Sequence, residues 1–163
     1  MTPIRRNYQQ RNGVVENVER REMPNRILLG MARDMIREGH TATIAVKGYS
    51  MRPFLEHERD RVILDAPKDL KVGDVVLAEI RPDHYVLHRI IAIDGEQVTL
   101  MGDGNIRGTE SCRLGDVAGI VTHYLRPGRT LLADDPGMQR RARLWRRLLP
   151  IRRYLLFVYK ALI

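Results

Sequence analysis

The chain has little cysteine, no long apolar run and, toward its C-terminus, no acidic residue. Its single cysteine, Cys112, excludes an internal disulfide and a multi-cysteine metal site. Nowhere do about 18 apolar residues follow one another, so we expect no membrane-spanning helix. The polar N-terminus lacks the apolar stretch of a secretory signal. The 163 residues suit one core of ordinary size, and disulfide-rich, transmembrane and secreted classes are disfavoured.

The net charge of +8 comes from one end of the chain. Residues 138–163 hold eight basic side chains and no acidic one, whereas residues 1–137 balance at 20 of each sign. Basic charge confined to a tail argues against a nucleic-acid-binding face spread over the whole domain. An unpaired cysteine fits a reducing compartment, so we expect a cytoplasmic protein.

Hydrophobic periodicity divides the chain into four segments. Residues 1–23 predict a polar arm without a fold of its own, and residues 24–39 predict one amphipathic helix. Residues 40–132 predict a β domain, and residues 133–163 predict a linker and a basic amphipathic helical tail. The β-rich runs of the third segment are 41–46, 61–65, 75–81, 84–93, 96–101 and 117–125. The predicted fold class is mainly β, a compact antiparallel domain with a helix before it and a helical tail after it.

Ser50 is the first residue that could carry chemistry. It lies directly after a predicted strand, with Gly48 before it and Pro53 after it. A serine exposed at a strand end can act as a nucleophile and can offer its own backbone N–H to an oxyanion. The same pattern also describes an ordinary turn, so the catalytic interpretation depends on finding a base.

His88 is the candidate base, because a serine hydroxyl needs a proton acceptor within hydrogen-bond reach. It lies within a predicted strand, where alternation places it on one face with Val86 and Ile90. The pattern alone leaves a core histidine and a general base both open. Along a strand His84 would lie about 13 Å from His88, too far to share a metal ion. We expect neither a metal nor another cofactor.

Three acidic residues are candidates for orienting a histidine base. Asp103 follows the strand after the histidine strand, between Gly102 and Gly104. By itself that pattern is typical of an Asx-turn. Glu110 and Asp116 lie further along the same connection. The sequence alone does not rank the three.

The segment from Val46 to Val121 resembles the signal peptidase I and LexA-type serine peptidase superfamily. Four ordered motifs carry the resemblance, and a fifth echoes it. They are Gly-Tyr-Ser-Met-Arg-Pro-Phe-Leu at 48–55, Gly-Asp-Val-Val at 73–76, Tyr-Val-Leu-His-Arg-Ile at 85–90, Gly-Asp-Gly-Asn at 102–105 and Glu-Ser-Cys-Arg-Leu-Gly at 110–115. The resemblance covers about half of the chain and implies the LexA-like or signal-peptidase-like β fold.

The resemblance also implies roles for individual residues. Ser50 aligns with the nucleophile, and His88 aligns with the base, as in the branch that carries histidine where bacterial signal peptidases carry lysine. Asp103 is then the expected orienting carboxylate, with Glu110 and Asp116 as less certain partners. Because Gly48 stands where signal peptidases often carry a second hydroxyl, the Ser50 backbone N–H is the expected oxyanion donor.

These roles predict a serine endopeptidase that cleaves a peptide or a leader- or signal-type substrate. An extended peptide would add as a strand beside the site. The alternative is a non-catalytic module on the same fold that binds a peptide or a membrane surface.

The basic tail, residues 138–163, has three interpretations. Its aromatic and basic residues suit a helix lying on an anionic membrane, which would make the protein peripheral at the inner face of a membrane. The second interpretation is a helix whose apolar stripe packs on the β domain or on a partner helix. Nucleic acid is the least favoured partner, although a regulator with a nucleic-acid-binding tail stays a third, weaker reading.

Overall fold

The computed structural model describes the backbone of residues 5–11 and 14–20, and side chains as well for residues 25–163. Its first strands, β1 (Arg5–Arg11) and β2 (Val14–Arg20), pair antiparallel as a separate two-stranded sheet. The expected arm over residues 1–23 thus contains two paired strands, and the rest of that arm lies outside the described residues. The sequence between the two strands is Asn-Gly, a dipeptide that favours tight hairpin turns, and the polar composition concealed this signal.

Helix α1 (Asn25–Arg37) forms where an amphipathic helix is predicted. Its buried residues, Leu29, Ala32 and Ile36, recur at helical spacing and pack into the domain core. Gly39 follows the helix with a φ of +89°, a left-handed conformation that favours glycine after a helix end.

One eight-stranded antiparallel sheet follows helix α1 and forms the centre of the described fold. Its strands are β3 (Ala42–Ala45), β4 (Arg61–Asp65), β5 (Val75–Arg81), β6 (His84–Asp94), β7 (Gln97–Met101), β8 (Glu110–Arg113), β9 (Val117–Arg126) and β10 (Arg129–Leu132). Their order is β3-β4-β9-β5-β6-β7-β8, and β10 pairs with β9. The predicted fold class is confirmed. All six predicted strands are present, and the short strands β8 and β10 are additional.

Two apolar clusters lie on opposite faces of the sheet, as alternation along β5 shows. Val75 and Leu77 belong to the cluster that also contains α1 and the segment after β3. Val76 and Ala78 belong to the second cluster, with residues of β6, β7 and β8. A strand buried on both faces must be apolar at successive positions, which explains the run Val-Val-Leu-Ala at its start.

The C-terminal segment folds as two helices joined by a 3-10 turn at Leu149–Ile151. Helix α2 (Pro136–Arg147) begins after Asp135, whose carboxylate accepts the backbone N–H of Met138 at 3.0 Å. Helix α3 (Arg152–Leu162) follows the turn. Met138, Ala142, Arg152 and Leu156 are buried, so one side of this segment packs on the domain. No helix in the described part of the chain combines the length and the apolar character needed to cross a membrane.

Candidate active site

Ser50 lies in a loop that starts just beyond β3 and is anchored at both ends. The backbone N–H of Val46 donates to the carbonyl of Asp60 at 2.9 Å, which closes the loop at its base. Met51 and Leu55 are buried in the first apolar cluster. Core side chains therefore fix the backbone immediately after Ser50.

The Gly-Asp-Gly-Asn segment packs directly on the backbone of the serine loop. Gly104 donates its N–H to the Ser50 carbonyl at 2.7 Å. A Cβ atom on Gly102 would lie 2.4 Å from that same carbonyl oxygen, and one on Gly104 would lie 2.5 Å from the Tyr49 carbonyl oxygen. Contacts this short are sterically forbidden, so both glycines are required for the two segments to meet.

His88 is a buried residue of β6, with 6% of its surface exposed, and its imidazole contacts a carboxylate. Nδ1 lies 2.8 Å from Oε2 of Glu110. Glu110 at the start of β8 pairs with Leu100 of β7, which pairs with Ile90, so Glu110 and His88 lie on the same face of the sheet. An ionised carboxylate only accepts hydrogen bonds, so a neutral His88 carries its proton on Nδ1. Its Nε2 then keeps a lone pair.

Ser50 and His88 line the same cavity, which has a volume of about 150 Å³. Its other walls come from α1, from the end of β3 and from the first residues of β6. The structure thus brings the nucleophile and the base expected from the sequence to one site. The cavity lies beside β3, a strand at the end of the sheet order.

Asp103 does not contact His88, which corrects the role expected for it. Its carboxylate accepts two hydrogen bonds from Arg89, Nε to Oδ1 at 2.8 Å and Nη2 to Oδ2 at 2.6 Å. Both residues are 3% exposed. Successive residues of a strand point to opposite faces, so Arg89 and its partner lie away from the imidazole of His88.

The charge of Asp103 keeps Arg89 ionised although the pair is buried. Burial by itself lowers the pKa of the Arg89 guanidinium. The adjacent Asp103 carboxylate raises that pKa by more than burial lowers it, so the net shift is upward. Arg89 also donates to the Gly73 carbonyl at 2.7 Å, so the pair and this bond join three of the motif segments.

The other two acidic candidates, Glu110 and Asp116, have different contacts in the structure. Glu110 is the residue that meets His88, as described above. Asp116 is exposed, and its carboxylate accepts the backbone N–H of Arg113 at 3.0 Å in a 3-10 turn. Among the residues that the structure describes, no cluster of three or more His, Cys, Asp or Glu side chains is arranged to hold a metal ion.

The C-terminal segment supplies contacts to the site that sequence reasoning missed. The indole Nε1–H of Trp145 donates to the Asp103 carbonyl at 2.7 Å. The buried Arg152 donates to the Asn105 carbonyl at 2.9 Å. Two residues of α2 and α3 thus hold the segment that packs on Ser50. The sequence indicated these contacts of Trp145 and Arg152 only in that both residues lie in the segment predicted to form an amphipathic helical tail.

A further contact joins α3 to the loop that carries Ser50. The hydroxyl of Tyr159 donates to Oε2 of Glu56 at 3.1 Å. Glu56 in turn pairs with Arg52, with Nη2 2.6 Å from Oε1, and the guanidinium lies 4.2 Å from the ring centroid of Tyr49. The residues on either side of Ser50 are therefore linked through Glu56 to the last helix.

This combination defines an antiparallel β protein that carries a serine and a histidine–carboxylate pair at one cavity. The chain belongs to the signal peptidase family, since the family model described as signal peptidase, peptidase S26, matches residues 25–111. The match extends from α1 to the first residues of β8 and includes Ser50 and His88. No curated protein matches the chain as a relative.

Proposed function

We propose that this protein is a serine endopeptidase that cleaves a peptide or a leader- or signal-type segment at Ser50. Membership of the signal peptidase family supports a signal-peptidase-like function in general terms. The hydrogen bond between His88 and Glu110, at the cavity that Ser50 lines, is the observation that carries the catalytic proposal.

In this proposal His88 acts first as base and then as acid. Ser50 Oγ attacks the scissile carbonyl carbon while Nε2 of His88 takes the hydroxyl proton. The imidazolium returns that proton to the leaving amine as the peptide C–N bond breaks. A water molecule then attacks the acyl ester by the same route, releasing the acid and restoring Ser50. The backbone N–H of Ser50 is the proposed donor to the oxyanion.

Glu110 is a positioning residue in this reaction. Its carboxylate holds the proton of His88 on Nδ1 and stabilises the imidazolium that forms when Ser50 attacks. Asp103, by contrast, is proposed to stabilise the fold around the site and to take no part in the chemical steps. It keeps Arg89 paired, and its segment supports the serine loop.

The substrate is proposed to bind as an extended strand beside β3. In the described sheet β3 pairs with β4 alone, so its other edge offers backbone groups to a peptide. The cavity of Ser50 and His88 lies at the end of this strand. We place this activity in the cytoplasm, on a peptide or on the cytoplasmic part of a membrane-bound protein.

The experiment is a comparison of peptide cleavage by the full chain and by three variants. A mixture of peptides is incubated with each protein, and the products are identified by mass spectrometry. Ser50→Ala and His88→Ala are expected to lower the rate of cleavage by about 10⁶-fold. Ser111→Ala, which changes an exposed serine of β8, is the matched control and is expected to retain activity.

Two results would contradict the proposal. Identical products at identical rates from the Ser50→Ala variant would show that another group cleaves the peptides. Peptide binding of equal affinity by the wild type and by Ser50→Ala, with no product from either, would favour the non-catalytic module instead.

A further inference from the structure

Helix α3 has an apolar face on the side opposite the one that packs on the domain. Arg152 and Leu156 are buried against the domain. The residues on the other side follow one another at helical spacing and are largely exposed. They are Tyr154 at 67%, Phe157 at 75%, Val158 at 54% and Leu162 at 81%. We call these four residues the outer face of α3.

Exposed basic side chains lie beside the outer face on α3 and on the preceding helix α2. They are Arg140, Arg141, Arg143, Arg147, Arg153 and Lys160. Residues 138–163 contain no acidic residue that could neutralise them. A partner that covers the outer face must therefore accept apolar side chains and carry negative charge nearby.

Three kinds of partner differ in whether they can accept apolar side chains and also carry negative charge. A second copy bound through the same face would place arginines against arginines, because a two-fold interface pairs a surface with itself. A nucleic acid would meet the basic side chains but would leave the apolar stripe in water. An anionic lipid surface meets both conditions, since its headgroups attract Arg and Lys while its acyl region accepts Phe, Leu and Tyr.

We propose that the outer face of α3 binds the surface of an anionic phospholipid membrane. The 11 residues of the helix extend only about 16 Å, so α3 lies along the surface and does not cross the bilayer. The opposite face of the same helix holds Glu56 through Tyr159, so membrane binding brings the serine loop close to the lipid surface. Lipid binding stands independently of the proposed peptidase activity; only the advantage of that placement, access to a membrane-bound peptide, rests on it.

The experiment is co-sedimentation of the full chain with vesicles of two compositions. One set contains phosphatidylcholine alone, and the other contains phosphatidylcholine mixed with phosphatidylserine. We expect binding to the second set that decreases as salt is added. The double variant Phe157→Glu/Leu162→Glu is expected to lower the affinity for these vesicles by tenfold or more, to about the level of the neutral vesicles.

A matched control separates the outer face from exposed apolar residues in general. Leu132 on β10 is 53% exposed, and Leu132→Glu is expected to leave vesicle binding unchanged. The circular dichroism and the thermal midpoint of each variant are measured alongside, because the substituted side chains lie in water and the fold should persist.

Three outcomes would overturn the proposal. The wild type does not sediment with either vesicle, the Phe157→Glu/Leu162→Glu variant binds as tightly as the wild type, or neutral and anionic vesicles bind equally. A concentration-dependent dimer that this double variant abolishes would assign the outer face to a second copy instead. Peptide cleavage in solution by the same variant reports on the proposed function separately.

Discussion

His88 and Glu110 meet on one face of the sheet, across the strand that lies between theirs. Strand β7 separates β6 from β8 along the sheet, and its last residue, Met101, pairs with the neighbour of His88. Glu110 pairs with Leu100, the residue before Met101, and its carboxylate reaches the imidazole of His88 at 2.8 Å on the same face of the sheet. The register of β6, β7 and β8 therefore decides which acidic residue accompanies the histidine.

Replacing Glu110 by glutamine is expected to reduce kcat by about 10⁴-fold with little change in KM, because the amide no longer fixes the His88 tautomer or stabilises the imidazolium. The measurement is steady-state cleavage of a peptide identified as a substrate. Glu96→Gln, at an exposed position before β7, is the control and should keep full activity. A fall in activity through KM alone would argue against this role for Glu110.

Replacing Asp103 by asparagine is expected to destabilise the fold by about 3–5 kcal/mol, since the buried Arg89 would lose its countercharge. Urea denaturation followed by circular dichroism measures the free energy of unfolding. Asp34→Asn removes the exposed carboxylate of another arginine pair and should change that free energy little. Equal costs for the two substitutions would contradict the importance assigned to burial.

Replacing Gly104 by alanine is expected to lower kcat/KM by about 100-fold, because the new methyl group would displace the carbonyl next to Ser50. The assay is the peptide cleavage described above, with the thermal midpoint recorded for each protein. Gly115→Ala is the matched control, since a Cβ there meets no atom within 4 Å. Unchanged kcat/KM in the Gly104→Ala variant would show that the serine loop tolerates the displacement.

Replacing Glu56 by glutamine is expected to alter how stability depends on pH. Burial raises the pKa of this carboxyl, but its hydrogen bonds with Arg52 and Tyr159 lower it, and the net shift is downward. A lowered pKa in the folded state stabilises the protein at neutral pH, and this contribution is lost as the pH falls through that pKa. The wild type should therefore be more stable than the variant at pH 7, with the difference shrinking below about pH 4.

Thermal unfolding at several pH values measures this difference. Glu38→Gln, at an exposed position after α1, serves as the control, and its difference from the wild type should not vary with pH in this way. A difference between wild type and Glu56→Gln that grows on acidification would contradict the sign of the predicted effect.

The strands could be predicted from the sequence because their apolar pattern is local. The run 61–65 alternates between buried and less buried residues, and 75–81 opens with the continuous apolar run of a strand covered on both faces. Strand β8 carries only one buried residue, Cys112, and β10 carries none, so neither gives a pattern of its own. Each pairs with the strand just before it in the chain, β8 with β7 and β10 with β9, so its pairing depends on that neighbour and not on an apolar pattern of its own.

The partner of the candidate base could not be predicted for a related reason. Asp103 lies in the connection after β7 and Glu110 is the first residue of β8, so the order of elements lets either reach β6. Which of the two contacts His88 depends on the face of the sheet to which each carboxylate points. Arg89, the residue after His88, binds Asp103 on the face opposite His88. The contacts of Trp145 and Arg152 depend on how the C-terminal helices dock, which no local pattern specifies.

Because Cys112 is buried, its reactivity reports on local unfolding of the protein. The thiol lies two residues after Glu110 on β8, is 7% exposed, and has a pKa that burial raises. Because the chain contains one cysteine, a thiol-alkylating reagent can modify it at one position only. Modification requires local unfolding of β8, because the thiol is otherwise inaccessible. The alkylation rate in the native protein therefore measures how often the strand that begins with Glu110 unfolds locally.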